Sequence, residues 1–179
     1  MANVSNKEVW IPEGVFNFEG LVSIDNDNTV IRGAGNFYTI IQGGVSFMIN
    51  ASNTSFYDFS LMGEAITRRD NIDKAAFEVK KSNASGLLIQ NLWIVHYKCG
   101  FWLSHMDNIQ IVGNKVRYTF ADGLNLHAGV VNGFVEQNDF MSTGDDTIGL
   151  WSQGTSNLNI VIKHNTIRNP WLANGVGIY

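Results

Sequence analysis

Along the second half of the chain, apolar and polar residues alternate in runs too short for helices. Leu87-Leu88-Ile89, Ile109-Gln110-Ile111, Phe134-Val135-Glu136 and Ile160-Val161-Ile162 each read as a strand, and each leads within a few residues to an asparagine: Asn91, Asn114, Asn138 and Asn165. These asparagines lie 23, 24 and 27 residues apart. After each comes a second short run, a polar bend and a third run. Three short strands in a repeat of that length predict a right-handed, single-stranded parallel β-helix. No window keeps the i, i+3, i+4, i+7 apolar stripe of an amphipathic helix. The four asparagines are expected to stack as an amide ladder at one corner.

The first half follows the plan less regularly. Val9-Trp10-Ile11-Pro12-Glu13-Gly14-Val15-Phe16-Asn17-Phe18 reads as strand, turn, strand, and Asn28-Thr29-Val30-Ile31-Arg32-Gly33-Ala34-Gly35 as a strand entering a tight bend. Gly33 and Gly35 make no dinucleotide motif, because neither a third glycine nor a helical pattern follows. Between Met62 and Ala76 the charges Glu64, Arg68, Arg69, Asp70, Asp73 and Lys74 interrupt the repeat. That segment is expected to project as a loop, with Arg68 and Arg69 either solvated or at the rim of a substrate groove.

The repeat also stacks chemistry. Asp122 follows Asn114 by eight residues, and Asp146 follows Asn138 by eight, with Asp145 beside it. Matching blocks come next: Gly123-Leu124-Asn125-Leu126-His127 and Thr147-Ile148-Gly149-Leu150-Trp151. Equivalent residues in adjacent turns sit one strand spacing apart, roughly 4.8 Å, so three carboxylates converge. Strand alternation sends Leu124, Ile148 and Val176 inward, then Leu126, Leu150 and Ile178. Asn125 faces out, as do His127, Trp151 and Tyr179 in one outer column. Stacked like charges keep at least one carboxyl protonated near neutrality, and glycoside hydrolysis needs one acid and one base. Trp151 and Tyr179 offer flat faces for sugar rings, and Asn125 and His127 offer polar contacts.

Composition narrows the partners. The 179 residues are 45% hydrophobic and 16% charged, with 18 glycines and 2 prolines, which suits one turn-rich domain over residues 1–179. A net charge of -4 without a basic run argues against nucleic acid. No apolar stretch is long enough to span a bilayer. The single cysteine, Cys99, excludes an intrachain disulfide. Calcium, as a structural ion, is the competing use for the aspartates, but the glycine-aspartate nonapeptide of calcium β-rolls is missing; no cofactor is expected otherwise, and His96, His105, His127 and His164 fall in different registers for a metal. Gly175-Val176-Gly177-Ile178-Tyr179 stops in mid-strand, so the chain reads as a fragment that self-associates through open solenoid ends.

Thr119-Phe120-Ala121-Asp122-Gly123-Leu124-Asn125-Leu126-His127, followed by Thr143-Gly144-Asp145-Asp146-Thr147, resembles the core of the α-1,3-glucanase and mycodextranase family (glycoside hydrolase family 87). Val9-Trp10-Ile11-Pro12-Glu13-Gly14, Ile31-Arg32-Gly33-Ala34-Gly35 and Pro170-Trp171-Leu172-Ala173-Asn174-Gly175 are similar to its flanking coils. The resemblance implies a pectin-lyase-like β-helix in a secreted enzyme that hydrolyses α-1,3-glucan, or mixed α-1,3/α-1,4-glucan, with inversion. It maps the catalytic aspartates onto Asp122, Asp145 and Asp146. By analogy with polygalacturonases, Asp145 is assigned as general acid, with Asp122 and Asp146 activating water. The family continues through further coils, so hydrolysis by this piece alone is expected to be weak or absent. The alternatives are a polygalacturonase-like hydrolase, with Lys163 and His164 as its basic residues, and a non-catalytic carbohydrate-binding β-helix.

Overall fold

A computed structural model of the chain describes residues 7–71, 74–79 and 83–179; Asp73 lies outside them. Among the described residues every regular element is a strand, and no helix is long and apolar enough to cross a membrane. Among the described residues the chain visits three sheets in rotation, so each sheet collects every third strand and holds seven. All pairings are parallel. This is the expected parallel β-helix, and such crossovers wind right-handed. Strands run three to six residues, because each face of the prism is only that wide before the chain must turn.

The core is a set of columns running along the solenoid axis. On the third sheet Phe47, Phe77, Phe101, Leu124, Ile148 and Val176 stand in register and point inward. Phe47 stacks on Phe77 at 5.3 Å, and Phe77 on Phe101 at 5.8 Å. Burying such columns removes apolar area from water turn after turn, which is the main force holding the solenoid together. In the last turn Val176 and Ile178 lie in the same columns and are exposed, 44% and 78%.

The asparagine ladder exists, shifted by one residue at its start. Asn114 donates its side-chain amide to Asn138 Oδ1 at 3.0 Å, and Asn138 donates to Asn165 Oδ1 at 3.0 Å. Trp93 pairs with Lys115, so the residue stacked on Asn114 is Leu92, not Asn91. Buried Leu92 ends the ladder by donating its backbone N–H to Asn114 Oδ1 at 3.0 Å. Asn91 instead occupies the corner column of Gly113, Gln137 and His164, all at positive φ, and its amide donates to Asp58 at 2.7 Å. Asparagine suits both places, which is why spacing alone mislaid it.

The turns from the second sheet to the third form a continuous ridge. They follow Trp93–Val95, Lys115–Arg117, Asp139–Met141 and Thr166–Arg168. His96, Tyr118, Ser142 and Asn169 each take a positive φ directly after those strands, making a repeated sharp corner. The corresponding connection after Ser60–Met62 is the charged segment that leads to Ala75–Val79.

Candidate active site

Asp122 and the Asp145-Asp146 pair sit on this ridge, in the turns before Leu124–Ala128 and Ile148–Leu150. Leu124 pairs with Ile148, and Gly123 donates its N–H to Asp146 O at 3.1 Å. Asp122 and Asp146 are therefore equivalent residues of successive turns, on one side of the solenoid. One oxygen from each of the three aspartates lies within 4.8 Å of the other two. The Gly144 and Asp145 N–H groups both donate to Ala121 O, at 3.1 and 3.2 Å, which fastens the second turn onto the first. Gly144 permits that approach, since a Cβ there would stand 2.5 Å from Phe120 O.

Each carboxylate has its own surroundings. Asp122 is buried and accepts from Asn125 Nδ2 at 3.1 Å. Burial pushes its carboxyl up to about 6; the Asn125 donation opposes this, and the charges of Asp145 and Asp146 add to it. Asp146 is the most buried and accepts from Asn174 through the backbone N–H at 2.9 Å and Nδ2 at 3.1 Å. The Tyr179 phenol also bonds Asp146, and that bond is the main reason its acidity is weakened. Asp145 is the exposed member, with a third of its side chain in solvent. Its Oδ1 accepts the Asp146 N–H at 3.1 Å, and its Oδ2 accepts from Arg68 Nη1 at 2.5 Å.

The three carboxylates are close enough together to hold a metal ion, and the groups that donate to them are the amides of Asn125 and Asn174, a guanidinium and a backbone N–H. The arrangement also suits proton transfer. Two buried carboxylates share a recess from which bulk water is excluded, and a third opens to the groove.

The predicted binding residues divide into two groups. Trp151 and Tyr179 form one aromatic pair, with ring centres 4.9 Å apart, beside Asp146. His127 does not join them as the expected outer column requires. The third sheet bulges where Ser104 pairs with Ala128, and His127 packs on Trp102 at 4.7 Å. Burial there pushes His127 down from its ordinary value. Asn125 points outward yet is buried, because it is folded over Asp122, and its Oδ1 has no partner. Its outer column runs Trp102, Asn125, Gly149, Gly177. A Cβ on Gly177 would lie 2.5 Å from Asp146 Oδ2, so this glycine makes room for the carboxylate.

Several residues of the site escaped the sequence reading. Trp102 could have been found by extending the Asn125 column one turn back. Asn174 occupies the position of Asp122 and Asp146 in the next turn, since Ile148 pairs with Val176. Phe120 and Trp171, ring centres 6.1 Å apart, flank the aspartates on the second-sheet side. Arg68 also lines a cleft of about 500 Å³ with Glu78, Lys98, Trp102 and His127. Lys163 and His164 lie elsewhere, paired with Glu136 on the first sheet.

Comparisons with known proteins show the family and the fold. The family model for the α-1,3-glucanase catalytic domain D2 matches residues 1–169. The chain belongs to that family. Among solved structures, the catalytic unit of a thermostable GH87 α-1,3-glucanase from Streptomyces thermodiastaticus strain HF3-3 is 32% identical, with a TM-score of 0.87 over 96% of this chain and 32% of that one. Two further matches are GH87 α-1,3-glucanase catalytic domains in which one aspartate is replaced by alanine. One is in complex with tetrasaccharides (25% identity, TM-score 0.86, 97% of this chain and 33% of that one). The other is in complex with nigerose (25%, 0.81, 97% and 32%). The two replaced aspartates lie as far apart in sequence as Asp122 and Asp146 do here. The chain thus spans about a third of the length of these catalytic units. A comparison with curated protein sequences returns no match.

Proposed function

We propose that residues 1–179 form one β-helix unit of a catalytic domain that hydrolyses α-1,3-glucosidic bonds in α-1,3-glucan or mixed α-1,3/α-1,4-glucan. The observation that carries this is the convergence of Asp122, Asp145 and Asp146 within 4.8 Å in a chain of the α-1,3-glucanase family. Asp145 is the general acid. It alone reaches solvent, so it alone can meet the glycosidic oxygen of a polymer lying in the groove. Asp122 and Asp146 are the bases. Their oxygens are near enough to share one water through two bonds of roughly 2.8 Å, and a water is small enough to reach the recess.

The spacing bears on stereochemistry. Inverting enzymes usually separate acid and base by roughly 6.5–9.5 Å, and here nearest oxygens of all pairs lie closer. Two bases holding one water place the nucleophile beyond the carboxylates themselves, which keeps inversion open to a compact cluster. Trp151, Tyr179, His127 and Asn125 bind the glucan: the rings pack on sugar C–H faces, and Asn125 lies beside them over Asp122. An insoluble polysaccharide is met outside the cell, so the enzyme is secreted. The exposed Val176 and Ile178 make the last turn the contact through which isolated chains self-associate.

The test is a substrate panel followed by proton NMR of the first product. Release from α-1,3-glucan with the β-anomer appearing first is expected, and polygalacturonate should be untouched. Hydrolysis of polygalacturonate in place of the glucan would contradict the proposal.

A further inference from the structure

Arg68 stands where the substrate has to come. Asp145 has two oxygens, and Oδ1 is committed to the Asp146 N–H at 3.1 Å. Only Oδ2 remains to hand a proton to a glycosidic oxygen, and Arg68 Nη1 holds it at 2.5 Å. A guanidinium is a donor only and does not lose its proton in proteins, so it takes no part in the transfer. The same guanidinium has a second seat, because its Nε donates to Asp70 Oδ1 at 2.9 Å. Both contacts are partly in solvent, with side chains 41% exposed at Arg68, 61% at Asp70 and 33% at Asp145. An exposed pair of this kind is held weakly enough to be exchanged for another contact.

We propose that Arg68 is a positioning residue displaced by substrate. In the free protein it holds Asp145 Oδ2 in place on the groove side; an arriving glucan displaces it, Oδ2 takes a proton from solvent and turns it to the glycosidic oxygen, and Arg68 falls back on Asp70. The inference rests on the reading of Asp145 as the acid that meets the glycosidic oxygen. Among the described residues, Arg68, Asp70, Asp122, Asp146 and Tyr179, with Lys98, Glu78 and His127 lining the same cleft, are the charged and titratable groups that face this exchange. Arg68 then does more than line the cleft beside Asp70, since it supplies the contact that binding must break.

A neutral sugar has no charge for salt to screen, so any salt dependence of its binding reports ion pairs within the protein. Calorimetric titration of the 179-residue chain with nigerose, at about 0.01 M and about 1 M salt, should show affinity rising by up to about fivefold as the pair weakens. Arg68→Gln should bind nigerose more tightly than the native chain at low salt and lose the salt dependence. Asp70→Asn removes the second seat, leaves Arg68 on Asp145, and should bind more weakly. Opposite signs from two residues in contact would not come from a general loosening of the loop. Binding that ignores both salt and Arg68→Gln, or two substitutions that shift affinity in the same direction, would overturn this inference while leaving the glucanase reading intact. A native chain and variants that all fail to bind nigerose would overturn the substrate reading as well.

Discussion

Asn174 gives both its backbone N–H and its side-chain amide to a single oxygen, Oδ1 of Asp146, at 2.9 and 3.1 Å. Asn174 is also the residue stacked on Asp146 in the next turn. The column of equivalent residues therefore changes from Asp122 and Asp146 to an amide where a third carboxylate would add only repulsion. Two donors on one oxygen fix the carboxylate plane, while Oδ2 lies against Gly177. Asn174→Ala removes one donor and should lower turnover by about tenfold or more, the effect of misplacing a base. KM should rise less than kcat falls, because the backbone donor to Asp146 remains and only the side-chain contact to Tyr179, at 3.1 Å, is lost on the substrate side. Steady-state kinetics on soluble α-1,3-linked oligosaccharides would check the split.

Asp122 links catalysis to stability. Its carboxyl is pushed up to about 6 by burial, against about 3.9 in an unfolded chain. Between those values the folded state holds the proton more tightly, so this group stabilises the fold below about pH 4 and that contribution is lost as pH rises through about 6. The full swing is about 3 kcal/mol. Native protein and Asp122→Asn compared by urea unfolding should differ in pH slope across that window, with the native chain losing stability as pH rises and the variant flatter. The same ionisation should set an acid limb near pH 6 in kcat/KM, since a protonated Asp122 cannot activate water.

The ladder predicts a purely structural effect. Asn138 donates to Ile111 O at 2.7 Å and to Asn165 Oδ1 at 3.0 Å, and its Oδ1 accepts from Asn114 N and Nδ2 at 2.9 and 3.0 Å. Asn138→Leu imitates Leu92 in shape but strands these buried partners in the middle of the column. A loss of about 2 kcal/mol or more is expected, measured by chemical denaturation, with the chemistry of the aspartates unaffected in whatever fraction stays folded.

Much of this architecture could be read before the coordinates. The strands of Ser85–Gln90, Asp107–Val112, Val131–Glu136 and Leu158–Lys163 alternate cleanly because one face is core and the other is solvent, and that contrast is written in the residues. Asp122 and Asp146 were legible for the same reason, since a solenoid turns spacing in sequence into stacking in space. What stayed hidden depended on irregularity. Asn91 fits a left-handed corner as well as a ladder, so identity could not fix its register. The bulge that carries His127 away from Trp151 leaves no mark in the pattern of apolar residues. Arg68 reaches Asp145 from a loop outside the repeat, and no period connects the two.

The most direct measurement is the release of reducing ends from α-1,3-glucan by the native chain beside Asp122→Asn, Asp145→Asn and Asp146→Asn. An amide keeps each side chain's shape but cannot carry the proton, and general acid-base groups contribute about 10²–10⁴-fold. The account predicts release by the native chain, if slow, and a fall of at least about a hundredfold in every variant, with unfolding transitions that remain cooperative. A native chain that folds and releases nothing, or any one variant that keeps native turnover, would contradict it.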